Sequence, residues 1–132
     1  MTEIESKTIA LVGSQKGVYT FLADLTNHKQ LMPESVYNWS ATPDECKFTI
    51  QNMTKLELKV SQRVEFSEIK IETKGEVPFK ISLSWNIVEE NSMIFAKLTI
   101  SADLNPFIKM MAMGPLNKLA TFQTEKLSQL FA

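Results

Sequence analysis

From about residue 36 to residue 104, apolar side chains recur at nearly every second position, a period that extended strands satisfy by sending alternate side chains to opposite faces. The segments VYNWSA, KFTIQ, KLELKVSQRVEF, EIKIETKG, FKISLSWNIVE and SMIFAKLTISADL carry the pattern, and the links between them (TPDE, NMT, FSE, EVP, EENS) are short and mostly polar. Short links join antiparallel neighbours, because a parallel crossover needs a dozen or more residues. The alternation assigns an apolar face to Leu56, Leu58, Val60, Gln62, Val64 and Phe66, then to Ile69 and Ile71. It continues through Phe79, Ile81, Leu83, Trp85 and Ile87, and through Ile94, Ala96, Leu98, Ile100 and Ala102. The opposite face is polar and meets water.

A sheet with one apolar face must have that face covered. From Pro115 onward, Leu116, Leu119, Ala120, Gln123, Leu127 and Leu130 form a helical stripe that can cover it. Before the strands, IESKTIALVG at residues 4–13 reads as a strand and Ser14 as a helix cap. Val18, Phe21, Leu22 and Leu25 give a short helix over 15–25, and TNHKQLM gives a second turn capped by Thr26 and ended by Pro33. The expected architecture is α+β. A curved six- to seven-stranded antiparallel sheet wraps around a long C-terminal helix in a helix-grip fold, with two short helices after the first strand and one domain over residues 1–132.

Composition narrows the function classes. Acids outnumber bases 15 to 14 and the bases are scattered, so the chain lacks the basic footprint of a nucleic-acid binder. No run of about 18 apolar residues suggests a transmembrane segment. A single cysteine, Cys46, and an N-terminus that opens with acids rather than a basic leader point to the cytoplasm.

The order strand, two short helices, long β meander and terminal helix resembles the START-like, pollen-allergen-like superfamily, also called SRPBCC or polyketide cyclase/dehydrase-like. VYTFLADLTNHKQLMPE is similar to that family's apolar helix and Leu-Met-Pro-Glu turn, and ADLNPFIKMMAMGPLNKLATF to its entry into the last helix. The resemblance covers nearly the whole chain. It implies an apolar small molecule, such as a lipid, sterol, polyketide or quinone, held between sheet and helix, with cyclases and chaperone-like partners among the members.

Catalysis of cyclisation or dehydration needs an acid, base or nucleophile inside the cavity. The inward positions offer only Gln62, Thr73, Gln123 and the indole N–H of Trp85, none of which titrates near neutrality. Gln62 and Gln123 either pair with each other or with buried water, or orient a ligand in an otherwise apolar pocket. His28 has no second ligand at metal spacing, and the acids beside Cys46 oppose thiolate formation. No metal or other cofactor is expected. Tyr37 and Trp39 share one face of a short strand and should be buried, or else sit at the rim of the cavity. Met93 and Phe95 fall on the polar face, where they leave a homodimer patch open as an option.

NPFIKMMAMGP, residues 105–115, holds three of the seven methionines. These three fan out around a helix without His or Cys, which argues against a copper site, and Lys109 is too lone a base for a membrane-surface helix. Asn105 and Pro106 suit a helix start. The apolar side of 107–113 opposes the stripe after residue 115 if the helix runs straight, so a break at Gly114–Pro115 is expected, with the front segment swinging over the cavity as a lid. The expected ligand contacts are therefore Phe48, Leu58, Gln62, Leu83, Trp85, Ile100, Phe107, Met110, Met111, Leu116, Leu119 and Gln123. The leading functional expectation is a non-enzymatic carrier or sensor of a hydrophobic molecule. A cyclase/dehydratase-type enzyme and a chaperone-like interaction module are the alternatives.

Overall fold

The computed structural model describes residues 2–51, 55–75 and 80–132. The element order is β1 (Thr2–Glu5), β2 (Ile9–Leu11), α1 (Gln15–Ala23), a 3-10 helix (Leu25–Leu31), β3 (Val36–Ala41), β4 (Glu45–Ile50), β5 (Lys55–Val64), β6 (Glu68–Thr73), β7 (Ile81–Glu90), β8 (Met93–Ala102) and α2 (Pro106–Leu130). Among the described residues the eight strands form one antiparallel sheet in the order β1-β8-β7-β6-β5-β4-β3, with β2 also on β8. The fold is a curved antiparallel sheet gripping one long helix. Phe79, expected to face inward, and the link 52–54 lie outside the described residues.

The eighth strand arises because residues 4–13 are two strands. Ser6 bonds Leu98 through both its backbone N–H, which donates to the Leu98 carbonyl, and its hydroxyl, which accepts from the Leu98 N–H. Pairing moves from Glu5↔Thr99 to Ile9↔Ala96, an offset of one residue across the step. Side chains alternate with a period of two, so this offset lets Ile4, on one parity, and Leu11, on the other, both reach the core.

A second irregularity lies between Val60 and Gln62 on β5. With Ser61 extra, alternation reverses. Gln62 and Val64 turn outward and are exposed, while Arg63 falls opposite the buried Ile69. Phe66 lies beyond the strand in the turn, at φ 67°, with its ring edge-on to Tyr19. A third irregularity, between Tyr37 and Ser40 with Asn38 at φ 55°, separates the two aromatics expected on one face. Tyr37 is exposed, whereas Trp39 stacks on Phe48 with centroids 5.5 Å apart.

Both α-helices start on caps visible in the sequence. Ser14 Oγ accepts from the Gly17 N–H and Asn105 Oδ1 from the Ile108 N–H, each at 2.9 Å. The 3-10 helix is capped by Asp24 rather than Thr26; its carboxylate accepts from both the backbone N–H and the hydroxyl of Thr26. α2 does not break at Gly114–Pro115 but runs through as one helix. Its inward stripe is Ala112, Leu116, Leu119, Gln123 and Leu127, with Ile108 half-buried one turn earlier. The small side chain of Ala112 permits close approach to the core, and the bulkier Phe107, Met110 and Met111 are left facing solvent.

Candidate functional site

The interface between sheet and helix is packed by side chains that alternation and helical spacing bring together. Phe48 on β4, Leu58 on β5, Leu83 and Trp85 on β7 and Ile100 on β8 form the sheet wall, and Leu116, Leu119 and Gln123 on α2 the helix wall. All eight are buried. Leu83 and Ile100 are direct cross-strand partners, and Trp85 sits between Ile69 and Leu98. Fully burying one such aliphatic side chain stabilises a fold by roughly 1.5–3 kcal/mol, so these residues hold the molecule together whatever else they do.

Four expected contacts are not brought there. Gln62 is turned outward by the Ser61 bulge. Phe107, Met110 and Met111 are 73%, 85% and 54% exposed, because a continuous α2 sends them to the side opposite Ala112 and Leu116. They form an apolar stripe on the outer surface rather than a lid over the interior.

Among the described residues, two polar atoms inside the wall have no partner. The indole Nε1 of Trp85 and the Oε1 of Gln123 are both buried without a hydrogen bond. The Gln123 amide nitrogen donates to Met32 Sδ at 3.8 Å. A thioether accepts but cannot donate, which assigns the nitrogen to Met32 and leaves the carbonyl oxygen orphaned. More than nine in ten buried polar groups find a partner, so two orphans in one apolar interior demand an explanation.

The titratable groups nearby are quiet. His28 is 2% exposed, and its Nε2–H donates to the Leu22 carbonyl at 2.8 Å. Burial is the main cause that pushes its pKa below the ordinary value, against the smaller opposing effects of the Leu22 hydrogen bond and the Asp24 charge. Cys46 is buried on β4, and its thiol is pushed up to about 12 by burial, only partly offset by the backbone of Leu58. The cause is desolvation rather than the acidic neighbours. Sequence reasoning missed two structural residues. Met32 gave no signal beyond its place before Pro33. Arg63 donates to the carbonyls of Ala23 and Pro43 and pairs with Asp44 at 2.9 Å, tying the end of α1 to the β3–β4 loop.

Among the described residues, no group of three or more His, Cys, Asp or Glu is placed to hold a metal ion, and no helix is long and apolar enough to cross a membrane. Three outer clefts are bounded by described residues, one of them a shallow face of α2 over Asn117, Lys118, Thr121, Phe122 and Glu125; the other two are deeper. One, of about 530 Å³, opens over Glu3, Glu72, Lys70, Lys80, Ser82 and Ser101. The other, of about 310 Å³, lies where Ile4–Ile9 meets Asn117–Glu125. Both mix charges and hydroxyls.

No protein-family model matches the chain, and no curated protein matches it. Solved structures do. The KanY protein superposes with a TM-score of 0.74 at 11% identity, covering 99% of each chain. An uncharacterised protein from Bacillus thuringiensis gives 0.72 at 7% identity, covering 98% of each. The Aha1 dimer from Colwellia psychrerythraea gives 0.66 at 17% identity, covering 99% of this chain and 96% of that one. At these identities the likeness shows the fold alone: a sheet and C-terminal helix shared over essentially the full length.

Proposed function

We propose that the chain binds and carries a hydrophobic small molecule between the sheet and α2, in the manner its resemblance to the START-like superfamily implies. The observation that carries this reading is the pair of unpartnered buried atoms, Trp85 Nε1 and Gln123 Oε1, in a wall that is otherwise apolar. Leaving a buried donor and acceptor unmet costs about 1–3 kcal/mol each. A wall that opens to admit a ligand would meet them, because apolar sites use a few placed polar groups to orient what they hold.

Among the described residues, no proton-transfer group in the same place supports the enzymatic alternative. Among the described residues the buried polar side chains are His28, Gln123 and Thr124. His28 is committed to Leu22, and Thr124 to the carbonyls of Ala120 and Thr121 in its own helix.

Native mass spectrometry of protein isolated from its own host, followed by organic extraction, should reveal a bound apolar compound, and the neutral dye Nile red should bind the emptied protein. Finding neither a co-purified compound nor dye binding would sink the carrier reading.

A second reading, a homodimer, is favoured by one surface. Phe95 lies between its partners Val88 and Ala10 on the outer sheet face, with Met93 and Val12 beside them. Val12, Val88 and Met93 are each about half exposed or more. That one solved relative of the fold is a dimer is consistent with this reading.

A further inference from the structure

The sheet ends at β1, which among the described residues pairs with β8 alone. Ser6 turns its backbone N–H to the Leu98 carbonyl, and hydrogen-bonding direction alternates along an antiparallel strand. Glu3 and Glu5 therefore aim their N–H and C=O groups away from the sheet. This edge already takes up chain at its far end, where the Val12 N–H donates to the Phe131 carbonyl at 2.7 Å. Beside it lies the cleft of about 310 Å³, in which Ile4, Ile9 and Ala120 are apolar and Thr121 stands on the flank of α2.

Charge decides what can lie there. Side chains directly opposite one another on neighbouring strands are in contact, and like charges in that position repel. Two copies joined antiparallel about Ile4 would set Glu3 against Glu5 twice, so the edge rejects its own copy, as guarded edges do. Lys97 meets Glu5 at 3.1 Å, whereas Glu3 and Glu125 have no ion pair among the described residues. The charged residues that line the cleft are the acids Glu5 and Glu125 and the base Lys7.

We propose that β1 is a docking edge for an extended segment of a partner protein in which basic and medium-sized apolar residues alternate. Pairing antiparallel, like the rest of the sheet, the segment adds a strand through main-chain hydrogen bonds to Glu3 and Glu5. Its basic residues fall opposite those two carboxylates on the polar face. The apolar residues between them turn inward to the cleft. Such docking is independent of what the interior holds.

The probe is the peptide acetyl-Val-Lys-Val-Lys-Val-amide, followed by NMR of the full chain. It should move the amide signals of Glu3, Glu5 and Thr121 and slow hydrogen exchange at the Glu3 and Glu5 N–H groups. Methylating both lysine amide nitrogens removes two main-chain bonds and should weaken binding by on the order of ten-fold. Replacing both lysines by glutamate should weaken it by about as much. Glu3→Lys, at an exposed position, should bring the lysine and glutamate peptides to about equal affinity. Thr121→Trp, which crowds the cleft from an exposed site, should weaken the lysine peptide without changing the melting temperature.

No signal movement with the lysine peptide at millimolar concentration overturns the docking edge. Binding that leaves exchange at Glu3 and Glu5 unchanged, or that is indifferent to methylation, overturns strand addition. Equal binding of the lysine and glutamate peptides to the unaltered chain overturns the selection of a basic segment, and full affinity in the Thr121→Trp protein overturns the part assigned to the cleft.

Discussion

The imidazole of His28 gives up water for a single carbonyl, that of Leu22. Its folded pKa is lowered, chiefly by burial, from the ordinary 6.5. Above that value both folded and unfolded chains are neutral and the residue adds no pH dependence. As pH falls below 6.5, the unfolded chain takes the proton first. Stability is then lost at up to about 1.4 kcal/mol per pH unit until the folded pKa is reached. Asp24, lowered mainly by its hydrogen bond from the Thr26 hydroxyl, acts in a separate window, since stability from a depressed carboxylate is lost only as pH drops through and below the ordinary acid range. Thermal melts from pH 7 to 5 should therefore fall, and His28→Gln, which keeps a donor for Leu22 but does not titrate, should flatten the fall; an unchanged slope would show that another group sets it. Cys46 makes a matching prediction. With its thiol near 12 and buried, it should not react with a disulfide reagent at pH 8 until denaturant is added. The sequence pointed to an unreactive Cys46 through its acidic neighbours, whereas burial on β4 is what raises the thiol. The burial of His28 was not legible in the sequence, because in TNHKQL it stands among polar neighbours and only packing of the 3-10 helix encloses it.

At the scale of elements, the strands were legible because alternation is a local property of each segment, and the points where it fails were not, because a bulge is decided by the partner strand. Ser61 looks like any outward serine until β6 fixes the register, and Gln62 follows it to the wrong expectation. Asn38 did carry a signal, since Asn is among the residues that accept positive φ. α2 teaches a related lesson about helices. Weighing Phe107, Met110 and Met111 by size places the apolar side of the first turns outward, yet Ile108 and Ala112 decide the packing and continue the stripe of Leu116, Leu119 and Gln123. Pro115 denies Met111 its usual backbone partner without ending the helix. Gly114 has helical backbone, and a side-chain carbon added there meets nothing within 4 Å. Gly114→Ala should thus stabilise the fold by about 0.5–1 kcal/mol in chemical denaturation, through lost freedom of the unfolded chain. A destabilised variant would mean that the front of α2 must bend to function or to fold.

Among the described residues, two groups of exposed apolar side chains stand together on the surface, and they differ in kind. The stripe of Phe107, Met110 and Met111 stands on one convex helix, interrupted by Lys109. The sheet patch is flatter and continuous. Cross-strand pairing sets Ala10, Phe95 and Val88 side by side over three strands, and Met93 and Val12 extend it at the same end of the sheet. A two-fold axis through such a patch would lay like on like, as symmetric dimers require. Glu89 and Glu90 at the hairpin tip would remain in water at the rim. On the dimer reading, sedimentation at tens of micromolar should give twice the 15.0 kDa chain mass. Val88→Lys with Met93→Lys should return the monomer with little change in melting temperature, because both side chains are about half exposed already. Met110→Lys with Met111→Lys is the control and should leave the dimer intact. A monomer at every concentration removes the sheet patch as a self-association surface. A dimer lost only in the helix variant moves the interface to the outer face of α2, opposite the side that packs on the sheet.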